Sequence, residues 1–167
     1  MFIQKNNIVE GKHIKPCLVD IFYTSNNKPK PIVVFCHGYK GFKDWGAWGL
    51  MAEAFAEAGF FFVKFNFSHN GGTAEQPLDF PDLDAFGNNN YTKELDDLET
   101  VIDWVLTNSS LKKEINTDDI SLIGHSRGGG IVTIKSEEDM RIKKVITLAG
   151  VSDYKSRFPK NERFQKW

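Results

Sequence analysis

Gly124-His125-Ser126-Arg127-Gly128 directly follows the apolar run Ile120-Ser121-Leu122-Ile123 and precedes a segment that reads as helix. The pattern is G-x-S-x-G, in which the serine sits on a strand-to-helix turn too sharp for its neighbours to carry side chains. Such a turn holds the hydroxyl out at the C-terminal edge of a sheet, where open α/β sheets form their ligand crevices. A helix that starts at the serine also turns its free N–H groups and positive dipole end toward any developing oxyanion. The chemistry that this arrangement serves is nucleophilic attack by Ser126 on a carbonyl carbon.

A second segment, His37-Gly38-Tyr39-Lys40-Gly41, stands immediately behind another apolar run, Ile32 to Cys36. A tetrahedral intermediate needs two preorganised donors. One is the backbone N–H of Arg127, next to the serine. The Tyr39 N–H, on the loop after the earlier strand, is the best placed candidate for the other.

The elements that position these residues alternate between strand and helix. Pro16 to Thr24, Ile32 to Cys36, Phe60 to Phe67, Ile120 to Ile123 and Lys144 to Leu148 read as strands, their apolar runs suiting burial on both faces. Helices are expected with Asp44 as N-cap, Trp48, Met51, Ala52 and Phe55 on one face and Gly59 at the end; over Thr92 to Thr107; and from about Arg127. Between them Ser68 to Tyr91 reads as a long irregular stretch. The alternation predicts one α/β domain with a mostly parallel sheet.

Composition agrees. The 167 residues are 41% hydrophobic and 26% charged with a formal net charge of −1. That is enough for a core and offers no basic excess toward nucleic acid or an anionic membrane. No apolar run approaches the ~18 residues of a membrane helix, and Met1 to Asn7 lacks the apolar stretch of a signal peptide. Cys17 and Cys36 both lie in apolar segments and read as buried free thiols. A cytoplasmic location is the expectation.

Val33 to Gly41 and Ile120 to Gly129, with their order and separation, resemble the α/β-hydrolase superfamily. The finer pattern resembles single-domain esterases of the dienelactone hydrolase and feruloyl esterase branch, and also the catalytic domains of prolyl-oligopeptidase-type peptidases. The pointers are the His37-Gly38-aromatic loop, Asn66 to Gly71, and Gly124-His125-Ser126-Arg127-Gly128-Gly129. The similarity runs from about residue 8 to 154. It implies an α/β fold with helices on both faces of a mostly parallel sheet. Ser126 would be the nucleophile of a serine hydrolase that cleaves a carboxylic ester through an acyl-enzyme, with no cofactor and no metal.

The superfamily order places an Asp or Glu and then a His after the serine. The four histidines, His13, His37, His69 and His125, all precede Ser126, so none of the 41 residues from 127 to 167 supplies the base. His37 belongs to the oxyanion loop, and in relatives the residue matching His125 points away. His69 is a remote candidate. Asp153, after the last strand, is the candidate acid; the other reading is a solvated loop residue. The expectation is therefore the N-terminal two-thirds of a hydrolase, completed by its own C-terminal segment or associating as a homo-oligomer. Two alternatives stay open, a prolyl-oligopeptidase-type peptidase and a non-catalytic α/β-hydrolase-like module that binds a small molecule or partner. The stretch 68–91 is expected to be either a lid or rim of the crevice or an ordinary surface loop. Asp82 to Gly87 resembles the start of a calcium loop but carries Phe86 and Lys93 at ligand positions, which excludes it. Trp45 and Trp48 read as packing residues rather than substrate platforms.

Overall fold

The computed structural model describes residues 1–26 and 28–155. Six strands form one sheet in the order β1-β2-β4-β3-β5-β6. They are β1 Phe2–Val9, β2 Cys17–Tyr23, β3 Lys30–Cys36, β4 Phe61–Asn66, β5 Ile115–His125 and β6 Ile142–Leu148. β3 pairs in parallel with β4 and β5, and β5 with β6, whereas β2 is antiparallel to both β1 and β4.

Alternate residues of each strand face opposite sides, and both sides are covered. Ile21, Val34, Val63 and Leu122 meet Leu98, Val101 and Ile102 of α3 Tyr91–Thr107 and Ile131 and Val132 of α4 Arg127–Glu138. On the other face Phe22, Phe35, Phe62 and Ile123 pack on Ala52 and Ala56 of α1 Trp48–Glu57. The expected mostly parallel sheet with helices on both faces is what the chain forms.

Three local expectations are corrected. Asp44 does not cap α1; Ala47 occupies that place without a side-chain hydrogen bond, because the Asp44 carboxylate is drawn to Lys43 and Lys64. The stretch 68–91 is not wholly irregular, since Asp82 accepts the Ala85 N–H at 2.9 Å and starts the short helix α2 Leu83–Gly87. β1 carries no clear alternation in sequence, yet it forms as an edge strand. There Asn6, at φ 55°, makes a bulge and gives its N–H to Asp20 at 2.7 Å. Among the described residues no helix is long and apolar enough to cross a membrane.

Candidate active site

β5 delivers Ser126 to the C-terminal edge of the sheet, between β3 and β6. The serine adopts φ 53°, ψ −116°, a backbone region that L-residues rarely occupy. Close packing enforces it. A methyl group on Gly124 would lie 2.2 Å from the Gly128 carbonyl oxygen, and one on Gly128 would lie 2.4 Å from the carbonyl oxygens of Cys36 and His37. These glycines let the start of α4 cross the end of β3 at backbone contact.

The peptide joining Ser126 to Arg127 is held by its carbonyl. Ser126 O accepts the Val151 N–H at 2.9 Å and the Gly130 N–H at 3.3 Å, while the Ser126 N–H is given to Leu148 O at 2.9 Å. In a planar trans peptide the N–H points opposite to the carbonyl. Fixing Ser126 O therefore fixes the Arg127 N–H on the far side of that plane. No backbone carbonyl among the described residues takes the N–H of Arg127 or of Tyr39. The loop 37–41, which the sequence suggests as the oxyanion loop, approaches closely as well, since a methyl group at Gly38 would sit 3.0 Å from Ser126 Cβ. A turn closed by Gly41 N–H to Gly38 O at 3.0 Å, with Lys40 at φ 57°, shapes that loop. Of the two predicted donor residues, Tyr39 thus lies on a loop that borders the serine and Arg127 opens α4 directly behind it.

The oxyanion loop is fastened from beneath by buried charge. Lys43 and Lys64 both reach Asp20, at 2.8 and 3.2 Å, and both bond Asp44. Asp20, Lys43 and Lys64 are fully buried. Burial alone would raise the Asp44 carboxyl, but hydrogen bonds from the two lysines outweigh it and hold the group at about 2. Asn66 completes the fastening, accepting the Lys43 N–H at 2.7 Å and donating to Pro77 O at 2.9 Å. The sequence reading passed over this network. Its signal was a single charged residue inside each of two apolar strands, Asp20 in β2 and Lys64 in β4.

Histidines line the surroundings without reaching the serine. Burial pushes the His37 imidazole down to about 4, although its Nδ1–H bond to Gly38 O at 2.8 Å acts in the opposite direction. His125 lies against Trp48, with ring centroids 5.3 Å apart, on the α1 side of the sheet. His69 is buried and bonded to Ser68 Oγ at 2.7 Å; burial first, then the charges of Lys93 and His13, bring it to about 4. Among the described residues no hydrogen bond reaches the Ser126 hydroxyl. Asp153 is exposed, two residues beyond the Val151 that binds Ser126 O. Trp48 packs on Phe35 at 4.7 Å, as a packing residue should, whereas Trp45 is 60% exposed.

The stretch 68–91 leans on the oxyanion loop through aromatic rings. Tyr39 meets Phe86 at 5.4 Å, Phe86 meets Phe80 at 5.2 Å, and Phe80 meets Phe42 at 4.9 Å. On the opposite wall, Arg127 Nε donates to Glu94 Oε2 at 2.7 Å, and Asn89 Nδ2 to Glu94 Oε1 at 2.8 Å. In sequence Glu94 is marked only as an acidic residue in the first turn of α3.

Strand order and the strand-to-helix elbow point to one class of fold, and a family model for the alpha/beta hydrolase fold matches residues 31–167. The chain belongs to the α/β-hydrolase fold family. The uncharacterized 31.7 kDa protein in the traX-finO intergenic region of Escherichia coli is 27% identical over 128 residues, 76% of this chain and 40% of that one. Among solved structures, a lipase/esterase from Lactobacillus plantarum superposes with a TM-score of 0.71 at 18% identity, covering 99% of this chain and 66% of its own. Dienelactone hydrolase from Anabaena variabilis gives 0.67 at 17% identity over 89% and 64%. The chain spans well under half of that curated relative and about two-thirds of these two structures.

Proposed function

We propose that this chain carries the nucleophile and oxyanion hole of a serine hydrolase acting on carboxylic esters. The observation that carries the reading is Ser126 held at φ 53° on a strand-to-helix turn, beside N–H groups of Tyr39 and Arg127 that no backbone carbonyl among the described residues takes. Ser126 Oγ attacks the ester carbonyl, and the oxyanion takes hydrogen bonds from those two N–H groups. The alkoxide leaves with a proton and an acyl-Ser126 remains, which water then hydrolyses. The proton requires a base. The proposal includes a histidine from polypeptide outside these 167 residues, with Asp153 as the candidate acid behind it. The dienelactone hydrolase and lipase/esterase likenesses support an ester rather than another acyl compound.

One observation favours a second reading, a binding module without catalysis: no histidine follows Ser126 in the sequence. A fluorophosphonate probe separates the two. Applied to the product of the whole reading frame, it is expected to label the wild type and not Ser126→Ala. A folded wild-type protein that takes up no label overturns the hydrolase and leaves the binding module.

A further inference from the structure

The Arg127 side chain does something that its backbone role does not require. It leaves the first residue of α4, crosses to the first turn of α3, and is fixed there on three sides. Glu94 Oε2 accepts from its Nε at 2.7 Å, the Tyr91 ring lies 4.1 Å from its guanidinium carbon, and the Tyr39 ring lies 5.9 Å away. A guanidinium stacks well on aromatic faces and binds a carboxylate with fixed geometry. The two residues that supply the oxyanion donors therefore touch each other through this one group. Its own position is set by Glu94, which is buried and whose second oxygen is held by Asn89 at 2.8 Å.

We infer that Glu94 is a positioning residue for the oxyanion hole, acting through the Arg127 side chain to set the spacing of the Arg127 and Tyr39 N–H groups. The inference rests on Ser126 being the nucleophile. Ser126 O is already bonded by Val151 and Gly130, so the peptide plane has one anchor. Arg127 Cα lies in that plane, so the Arg127 N–H is already set, whereas the Tyr39 N–H is not. The Glu94 contact is the second anchor: it holds the Arg127 guanidinium against the Tyr39 ring and so sets Tyr39 relative to that plane. Burial pushes the Glu94 carboxyl up, and the Arg127 charge and hydrogen bond, with that of Asn89, draw it back. The pair is thus built to hold each other rather than to meet solvent.

The test compares Glu94→Gln, Arg127→Lys, the double variant, and Thr92→Ala as a control on the exposed side of α3. With a nitrophenyl ester and the product of the whole reading frame, Glu94→Gln is expected to lower kcat about 10–100-fold, less than the loss of a whole oxyanion donor. KM stays within about threefold. Arg127→Lys, which keeps the charge and loses the stacked fork, falls in the same direction and covers the case in which Glu94→Gln does not fold. The double variant is expected to be no worse than the poorer single variant. Amide hydrogen exchange at Gly41, whose N–H closes the Tyr39 turn on Gly38 O at 3.0 Å, read by NMR, is expected to quicken at least tenfold in Glu94→Gln and not in Thr92→Ala. A merely structural tie would lower Tm and leave both kcat and this amide unchanged, and that result overturns the inference. If the wild type itself fails to react at Ser126, the hydrolase reading falls. The exchange rates then decide the positioning role alone.

Discussion

At the elbow, Gly128 runs so close to the end of β3 that a single methyl group would collide with two carbonyl oxygens at 2.4 Å. Across Ser126, the loop that carries Tyr39 stands on Lys43, Lys64 and Asp20, charges taken out of water, with the half-buried Asp44 paired to both lysines. One wall is fixed by contact between backbones and the other by electrostatics in a dry interior. Steric fixing tolerates no added atom but is indifferent to pH and salt. Ionic fixing accepts changes of shape but not the loss of one partner, because the remaining charges then stay buried without compensation. Ser126 and the loop that carries Tyr39 are therefore expected to fail in different ways.

The sharpest break is Gly128→Ala. Backbone atoms on both sides leave the new methyl nowhere to go, so a loss of about 5 kcal/mol or more is expected, measured by urea denaturation. A folded Gly128→Ala protein of near wild-type stability would sink the steric account of the elbow. Lys43→Met leaves Asp20 and Asp44 with Lys64 alone and is expected to cost about 3–5 kcal/mol. Adding Asp20→Asn removes the surplus charge and should return part of that loss. A double variant as unstable as the sum of the singles would show that the four groups do not act together.

A smaller effect concerns His37, on the same loop. Its imidazole titrates near 6.5 in the unfolded chain and at about 4 when buried. Between those values the unfolded chain takes up a proton that the folded one refuses, so stability falls as pH drops through that window. The total is about 3 kcal/mol, complete below pH 4 and absent above 6.5. His69 adds a shift of the same sign. The difference between wild type and His37→Gln isolates the first histidine, and identical pH slopes in the two would contradict its buried, neutral state.

The same contrast explains what could be read from the residues alone. Steric requirements leave local marks: glycine at 124 and 128 around a serine, behind an apolar strand, gave away the elbow and the sheet it stands on. The parallel core was equally plain, because Ile32 to Cys36 and Ile120 to Ile123 are apolar without interruption. Ionic fastenings leave no such mark. Lys43 and Asp20 lie 23 residues apart, Asp20 and Lys64 meet only because β2 pairs with β4, and Glu94 reaches Arg127 over 33. Asp44 looked like a helix cap because short polar residues before an apolar-periodic segment usually are; two lysines from outside its neighbourhood claimed it. β1 escaped notice because pairing with β2, not its own pattern, makes it a strand.

The φ of 53° at Ser126 carries a consequence for the history of such a molecule. A backbone forced into that region costs on the order of 1–3 kcal/mol, and the whole sheet is needed to sustain it. Glycine, the one residue at ease there, is also the one that lacks the hydroxyl. Selection for robustness alone therefore pulls this position toward glycine, and a use for the hydroxyl is what would keep the serine in place.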